Sequence, residues 1–243
     1  MPAQRAWTHD DPAHAAPSEL DVRRLSMKYT GFNAPEILRA AITDDFAGRI
    51  ALVSSFGAEA AALLHLVSEV DKSVPVIFLD TGKHFSQTLS YRKKLTNHLG
   101  LKDVRVIGPA TQAVEQRDSE GDLWQHDADA CCALRKVEPL NNALAPFDAW
   151  ITGRKQFHGG GRIKLPVFEA NSSHFKVNPL ARWTKDDVAD HMRANDIPSH
   201  PLVEQGFASI GCWPCTRPVG TTNNVRAGRW VGATKSECGI HAE

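Results

Sequence analysis

Residues 49–59 read RIALVSSFGAE, and this stretch decides the fold. Its first six residues form a short apolar run that is typical of a buried strand, and the segment SSFGAE then turns the chain. Residues 60–70 are predicted to follow as a helix, because apolar side chains recur on one side: Ala60, Leu63, Leu64, Val67 and Val70. The stretch therefore predicts a strand–loop–helix unit.

The same alternation continues outward from this unit. Helices are predicted at residues 34–42 and 86–99, and apolar runs predict strands at residues 74–79 and 104–107 and a strand end at residues 150–152. Strands that alternate with helices indicate a parallel sheet covered on both faces. Such sheets bind ligands beyond the carboxyl ends of their strands, near a switch in strand order.

The pattern weakens after Gly153. Three successive glycines make residues 157–162 a predicted mobile loop, and residues 175–177 read as a short strand. Thr184 is a predicted helix N-cap, with Asp186 and Asp187 in the first turn and Val188 and Met192 facing inward. We therefore divide the chain into a mobile tail (1–18), an α/β domain (19–210) and a loop-rich C-terminal segment (211–243).

Composition limits the classes of partner. The 243 residues contain 28 Lys and Arg and 28 Asp and Glu, so the net charge of zero gives no support for a broad nucleic-acid or membrane surface. Residues 1–18 lack the basic start and apolar run of a signal peptide. No apolar stretch approaches the roughly 20 residues that span a bilayer. We expect a cytoplasmic protein that binds neither nucleic acid nor membrane.

Two predicted strand ends carry polar residues. Ser54, Ser55 and Gly57 follow the first strand, where hydroxyls and free backbone N–H groups at a helix start suit a phosphate. The segment is neither a Gly-Lys-Ser/Thr P-loop nor a Gly-x-Gly-x-x-Gly motif. The segment FLDTG (78–82) ends the next strand and makes a nucleotide pocket more plausible. The alternative is an ordinary turn, with Asp80 capping the next helix.

Five cysteines are divided into an adjacent pair, a Cys-x-x-Cys pair and one near the C-terminus: Cys131, Cys132, Cys212, Cys215 and Cys238. In the cytoplasm such grouping indicates metal or redox chemistry rather than disulfides. Four thiols suit a metal centre and leave one spare thiol, but spacing alone does not separate zinc from an iron–sulfur cluster. The alternative is a buried apolar pair and a redox pair. Adjacent side chains diverge, so joint ligation demands a helix end or a kink and predicts strain.

Basic residues stand beside every cysteine group. Arg135 and Lys136 follow the first pair, Arg217, Arg226 and Arg229 follow the second, and His241 lies three residues after Cys238. Cations lower the pKa of a thiol and bind anions, which predicts an anion site, whereas solvated surface charge is the alternative. Gly239 makes the backbone after Cys238 permissive, so Cys238 is a candidate nucleophile on a mobile tail.

From about residue 30 onward the chain resembles the assimilatory sulfonucleotide reductases, in particular the thioredoxin-dependent adenylyl-sulfate (APS) reductases of bacteria. The segments that carry the resemblance are SSFGAE, LDTG, CCALRKVEPL, WITGR, NPLARWTKDDV, PSHPLVEQGFASIGCWPCTRPV and ECGIH. The related phosphoadenylyl-sulfate (PAPS) reductases keep the ECGIH-type element but lack the paired cysteines. The chain departs from the usual pattern of this family in two places. Lys83 stands before His84, where an aromatic residue is common, and residues 155–162 form the loop KQFHGGGR.

The resemblance implies an adenine-nucleotide α-hydrolase-like (PP-loop) fold and the reduction of APS to sulfite and AMP, in sulfate assimilation and cysteine biosynthesis. It implies an S-sulfocysteine intermediate on Cys238, resolved by thioredoxin or glutaredoxin. The sequence leaves the oligomeric state open between a monomer and a homo-oligomer. It places the ligands of one 4Fe–4S cluster at Cys131, Cys132, Cys212 and Cys215. It places the phosphosulfate contacts at Lys136, Arg226, Arg229 and His241. It places the nucleotide pocket at Ser54, Ser55, Gly57, Leu79, Thr81 and Gly153, with Arg154 nearby.

Three alternatives remain. The protein could reduce PAPS, or both nucleotides. It could be a tRNA-thiolating enzyme of the PP-loop class, although SSFGAE lacks the Ser-Gly-Gly-x-Asp-Ser of those enzymes and the neutral charge disfavours tRNA. It could also be a zinc-stabilised binding module with no enzymatic activity.

Overall fold

The structure, a computed structural model, describes residues 16–171, 173–219, 224–232, 235 and 237–241. Most of the predicted mobile tail, residues 1–15, lies outside the described residues. The last residue of that predicted tail, Ser18, is the N-cap of the first helix, and its side chain accepts a hydrogen bond from the backbone N–H of Asp21.

Six strands form one mixed, mostly parallel sheet. In chain order they are β1 (Ile50–Val53), β2 (Val76–Leu79), β3 (Val104–Ile107), β4 (Ala149–Ile151), β5 (Phe168–Ala170) and β6 (Phe175–Val177). Their order across the sheet is β3-β2-β1-β4-β6-β5. Every neighbouring pair is parallel except β5 and β6, which form an antiparallel edge. The predicted α/β class and the strands of the parallel sheet are confirmed, and β5 is an addition.

Nine α-helices accompany the strands in the described part of the chain: α1 (Glu19–Lys28), α2 (Ala34–Ala40), α3 (Ala60–Val70), α4 (Ser86–Leu99), α5 (Thr111–Arg117), α6 (Leu123–His126), α7 (Ala128–Cys132), α8 (Glu138–Leu144) and α9 (Lys185–Ala194). The predicted helix at residues 34–42 ends early, because a π-helical segment, Ala41–Asp45, follows α2. The predicted N-cap Thr184 is confirmed, since Thr184 and Asp187 form a reciprocal capping box at the start of α9.

The core lies on both faces of the sheet. Successive strand side chains point to opposite faces. Leu52, Val76 and Phe78 belong to the larger apolar cluster, whereas Ala51 and Ile77 belong to a smaller one. The smaller cluster also contains Leu79, Leu140, Leu144, Phe147 and Trp150, and Ile240 from the C-terminal end packs against it. Burial on both faces explains why these strands read as continuous apolar runs.

The switch in strand order lies at β1. The chain proceeds from β1 to β2 and β3 on one side and then returns to place β4 on the other side of β1. The carboxyl ends of these strands open into a crevice that suits a ligand. Part of the predicted C-terminal segment closes this region, because Cys212 forms a β-bridge with His84 and Trp213 N donates to the Lys83 carbonyl over 2.8 Å. No helix among the described residues is long and apolar enough to cross a bilayer.

Candidate active site and cysteine cavity

A cavity of about 230 Å³, here the main cavity, opens at the carboxyl ends of β1, β2 and β4. Its lining contains every residue predicted to bind substrate except Thr81, and it contains the predicted nucleophile Cys238. The lining residues with predicted roles are Ser54, Ser55, Gly57, Leu79, Lys136, Gly153, Arg154, Arg226, Arg229, Cys238 and His241. Residues far apart in sequence therefore meet in one space, and their individual roles stay predictions.

The loop Ser54–Glu59, here the nucleotide loop, has a constrained backbone. Ser54 Oγ accepts a hydrogen bond of 3.2 Å from Phe56 N, and Phe56 adopts a positive φ of 49° while its side chain is buried. A Cβ atom at Gly57 would lie 3.2 Å from the Ile210 carbonyl oxygen. The loop is therefore held tightly against a neighbouring segment, and a larger residue at position 57 would force the two apart.

Cations face the main cavity. Lys136 is half-buried, and its desolvation disfavours the charged form, but the nearby sulfurs of Cys212 and Cys238 outweigh this effect and raise its pKa. Burial and the neighbouring Arg162 lower the pKa of Arg226 to about 10, so Arg226 stays protonated at neutral pH. Arg229 packs over the Trp230 ring, with its Cζ 4.4 Å from the centroid. The cavity is therefore strongly electropositive.

Buried nitrogens without a hydrogen-bond partner among the described residues also cluster here. All of them except one on Arg92 belong to residues that line the main cavity: His84 Nδ1, Trp150 Nε1, Arg154 Nε, Arg229 Nε, Trp230 Nε1 and His241 Nδ1. Buried polar atoms are normally satisfied. Their concentration in one cavity indicates that it takes a polar ligand. Sequence reasoning missed the tryptophans and His84, because only their three-dimensional placement distinguishes them from ordinary core residues.

The residues 237–241, here the tail segment, bring Cys238 to the cavity. Gly239 turns the chain with a φ of 84°. The His241 ring stacks on Trp150 with centroids 5.2 Å apart and ring planes within 6°, and its carbonyl accepts a hydrogen bond from Lys176 Nζ over 3.3 Å. Burial, and then the nearby Arg154 and other cations, lower the pKa of His241 far below its usual range. The lowered pKa favours the neutral ring of His241, and its predicted contact with the phosphosulfate stays a prediction.

A second, smaller cavity, here the cysteine cavity, is lined by all four remaining cysteines: Cys131, Cys132, Cys212 and Cys215. Arg135 and Lys136 also line it, and Cys212 and Lys136 are shared with the main cavity. Burial raises the pKa of the Cys131 and Cys215 thiols and raises that of Cys132 to about 11. Burial therefore favours the neutral thiol at Cys131, Cys132 and Cys215.

Thr81 belongs to the cysteine cavity rather than the main cavity. Its Oγ1 atom lies 3.3 Å from Cys212 Sγ, and its carbonyl accepts a hydrogen bond of 2.9 Å from Arg135 Nη1. Thr81 is buried, and it lines the cysteine cavity but not the main cavity. Its predicted role in nucleotide binding stays a prediction.

The donor set of the cysteine cavity suits an anionic, thiolate-bound group. Four thiols face one space, and two cations stand beside it to offset negative charge. Among the described residues, no three His, Cys, Asp or Glu side chains are placed to share a single metal ion. The residues present fit a group that four thiolates hold together.

A comparison with known protein families matches residues 49–218 to the phosphoadenosine phosphosulfate reductase domain. The chain belongs to this family. Its relatives include the adenosine 5'-phosphosulfate reductases of Mesorhizobium japonicum, 52% identical over 89% of this chain and 85% of that protein, and of a Chelativorans species, 48% identical over 92% of each. The phosphoadenosine 5'-phosphosulfate reductase of Gloeobacter violaceus is 39% identical over 86% of this chain and 89% of that protein.

Solved structures agree with the family. The phosphoadenylyl-sulfate reductase of Candida auris, in a phosphate complex, has a TM-score of 0.71 and 26% identity, and the match covers 83% of this chain and 98% of that chain. The FMN adenylyltransferase of Candida glabrata has a TM-score of 0.54 at 14% identity, which shows a shared fold alone. The predicted PP-loop-like fold is confirmed.

Proposed function

We propose that the protein is an adenylyl-sulfate reductase that forms sulfite and AMP. The observation that carries the proposal is the main cavity, which joins the nucleotide loop, several cations and the spare thiol Cys238. The relatives named adenosine 5'-phosphosulfate reductase, at 52% and 48% identity, support this substrate. We propose reducing cytoplasm as its location, because free thiols persist there.

Each end of the substrate has a suitable counterpart. Ser54, Ser55 and Gly57 offer hydroxyls and close backbone approach to the nucleotide. Lys136, Arg226 and Arg229 face the phosphosulfate, where guanidinium groups bind oxyanions through paired hydrogen bonds. These cations also screen the repulsion between an anionic substrate and a thiolate nucleophile.

The reaction proceeds by thiol chemistry. The Cys238 thiolate attacks the sulfur of adenylyl sulfate, an S–S bond forms, and the S–O bond breaks as AMP leaves with its electron pair. This step leaves S-sulfocysteine at position 238. A thiolate of reduced thioredoxin (or glutaredoxin) then attacks Cys238 Sγ and expels sulfite, and the second thiol of the reductant resolves the mixed disulfide. The reductant supplies both electrons and becomes a disulfide.

The cysteine cavity would hold one 4Fe–4S cluster through Cys131, Cys132, Cys212 and Cys215. When bound, the cluster would supply a fixed structural support and a negative electrostatic field next to the substrate cations. Lys136 connects the two cavities, because it lines both. We therefore assign Lys136 the task of orienting the sulfonate end of the substrate.

Two cysteine substitutions test these assignments. Cys238→Ser is expected to abolish sulfite release from adenylyl sulfate while leaving the iron content and the brown colour unchanged. Cys212→Ser is expected to lose the iron. Anaerobic purification, iron analysis and a sulfite assay measure all three properties. Loss of colour in Cys238→Ser would refute the division into four ligands and one nucleophile, and an iron-free variant with full activity would refute the cluster. Zinc in place of iron would favour a zinc-stabilised module.

Reduction of the 3'-phosphorylated nucleotide is the second candidate. A relative of 39% identity and the Candida auris structure both carry the name of the phosphoadenosine enzyme. Rates of sulfite release with and without the 3'-phosphate distinguish the two substrates. We expect adenylyl sulfate to be preferred, and an equal or faster rate with the 3'-phosphorylated nucleotide would contradict the proposal.

A further inference from the structure

Two different anchors hold the tail segment on either side of Cys238. After Cys238, Ile240 packs against the smaller apolar cluster and His241 stacks on Trp150. Before Cys238, the Glu237 carboxylate makes ion pairs. The second anchor consists of charged groups, whereas the first consists of apolar and ring contacts.

The ionic anchor is a two-pronged contact with Arg162. Arg162 Nε donates to Glu237 Oε1 and Arg162 Nη2 donates to Glu237 Oε2, both over 2.8 Å. Such fork-like pairs fix direction as well as distance. The Arg162 side chain is 11% exposed, and Glu237 also accepts a longer hydrogen bond of 3.3 Å from Arg226. The carboxylate next to the nucleophile is therefore aimed mainly by Arg162.

Arg162 is also connected to the nucleotide loop. Its Nη1 atom lies 3.0 Å from His158 Nδ1, and His158 Nε2 lies 2.9 Å from Glu59 Oε2. A guanidinium group can only donate, so Nδ1 accepts and Nε2 carries the hydrogen that it donates to Glu59. Lys155 Nζ completes the contact by donating to Glu59 Oε2 over 3.0 Å. An unbroken series of polar contacts thus runs from the nucleotide loop to the tail segment.

We propose that Arg162 is a positioning residue that holds Cys238 over the main cavity through Glu237, and that His158 couples this hold to the nucleotide loop. The proposal rests on the proposed function in one respect, which is the assignment of Cys238 as the nucleophile. A nucleotide that fixes the loop at Glu59 then also fixes the tail segment. Release of the ionic anchor alone would expose Cys238 to a protein reductant while Ile240 and His241 stay in place.

The test measures alkylation of Cys238 by iodoacetamide in the full-length holoenzyme, followed on the Cys238 peptide by mass spectrometry. Arg162→Ala is expected to speed alkylation about tenfold, the change that corresponds to ~1.4 kcal/mol. Glu237→Gln should act similarly, and the double variant should react no faster than either single variant. Arg162→Lys, which keeps the charge but loses the fork, should lie between. The matched control is Lys164→Ala, which removes an exposed cation two residues away that makes no ion pair with any residue that the structure describes.

Binding of AMP distinguishes positioning from direct substrate contact, because Arg162 also lines the main cavity. We expect AMP to slow Cys238 alkylation in the wild type but not in His158→Ala. We expect Arg162→Ala to bind AMP with an affinity within about twofold of the wild type, while its kcat falls about tenfold and its KM is unchanged. The proposal would be overturned if Arg162→Ala bound AMP more weakly while Glu237→Gln kept the alkylation rate of the wild type. Equal alkylation rates in all variants would also overturn it. A wild-type enzyme that releases no sulfite would refute the proposed function instead, since the alkylation results do not depend on turnover.

Discussion

Replacing Asp118 with alanine is expected to lower the free energy of unfolding by about 3–5 kcal/mol. Asp118 and Arg135 form a buried ion pair, and each residue is less than a tenth exposed. Arg135 Nε and Nη2 donate to Asp118 Oδ2 over 2.9 and 2.6 Å. Asp118 Oδ1 accepts from Leu123 N over 2.8 Å. The substitution therefore leaves a buried guanidinium group and a backbone N–H without their acceptor.

The magnitude follows from burial rather than from the number of contacts. Burial alone would raise the pKa of Asp118, but the Leu123 N–H and the Arg135 guanidinium outweigh it and hold the pKa below its usual value. The carboxylate is thus ionised and paired at neutral pH. Loss of one partner of such a pair costs more than the pair contributes, because the remaining charge stays buried. Arg135 also holds the Thr81 carbonyl beside Cys212, so we expect iron retention to fall as well.

Urea unfolding of the purified protein measures the first effect. The control is Arg117→Ala, which breaks an ion pair with Glu138 whose side chains are about half exposed, and which should cost less than about 1 kcal/mol. Asp118→Leu combined with Arg135→Met should recover much of the loss, since it removes both charges. If Asp118→Ala is no more destabilising than Arg117→Ala, the reasoning from burial is wrong.

Three further predictions concern other positions. Gly211→Ala should raise the KM about tenfold or more with little loss of stability, because the new Cβ would lie 2.6 Å from Arg229 Cζ and displace that flexible side chain. As a control, Gly108→Ala should leave kcat and KM unchanged. Gly228→Ala should cost about 2 kcal/mol in urea unfolding, because its Cβ would overlap a backbone carbonyl oxygen that cannot move. Burial lowers the pKa of His200 to about 4, so the neutral ring contributes fully to the free energy of unfolding above pH 6.5. About 3 kcal/mol of that free energy is lost as the pH falls toward 4. His200→Gln should flatten the pH dependence of the free energy of unfolding, and an unchanged slope would contradict this prediction.

The sequence predicts those parts of the fold that depend on local periodicity. The bounds of α3, α4 and β3 agree with the prediction to the residue, because each is a regular apolar pattern with clear breaks on both sides. The sequence does not predict five helices: α1, α5, α6, α7 and α8. Of these, α5 and α6 have no buried residues, and α7 buries only its two cysteines. Their positions depend on partners elsewhere in the chain, such as the Asp118–Arg135 pair, which leaves no periodic trace in the sequence.

The candidate site likewise has parts that the sequence predicts and parts that it does not. Cysteines and cations can be identified by residue type, and the structure brings the predicted ones to two adjoining cavities. Arg162 and Glu237 lie 75 positions apart, and nothing in the sequence between them predicts their contact. Trp150 contributes through its ring and through an N–H that has no hydrogen-bond partner among the described residues, and only its surroundings create these properties. Contacts of this kind arise from packing and are not encoded in local spacing.

The adjacent cysteines illustrate how packing resolves a difficulty that spacing raises. Neighbouring side chains on a helix point in directions about 100° apart, and the sequence therefore predicts a helix end or a kink at this pair. Helix α7 ends at Cys132, and the π-helical segment Ala133–Val137 begins with the next residue. Cys132 has φ and ψ of −68° and −38°, which are ordinary helical values, so the expected strain is absent from its backbone.

Each cysteine of the pair instead has its own cation four residues later. Arg135 opposes the burial that raises the pKa of Cys131, and Lys136 does so for Cys132. The two cations then diverge as the cysteines do: Arg135 reaches Asp118 and Thr81, whereas Lys136 lines the main cavity. Both cysteines line the cysteine cavity, but of their two cations only Lys136 also lines the main cavity. Because Lys136 follows Cys132 by four residues, the second cysteine of the pair is the one whose accompanying cation connects the two cavities.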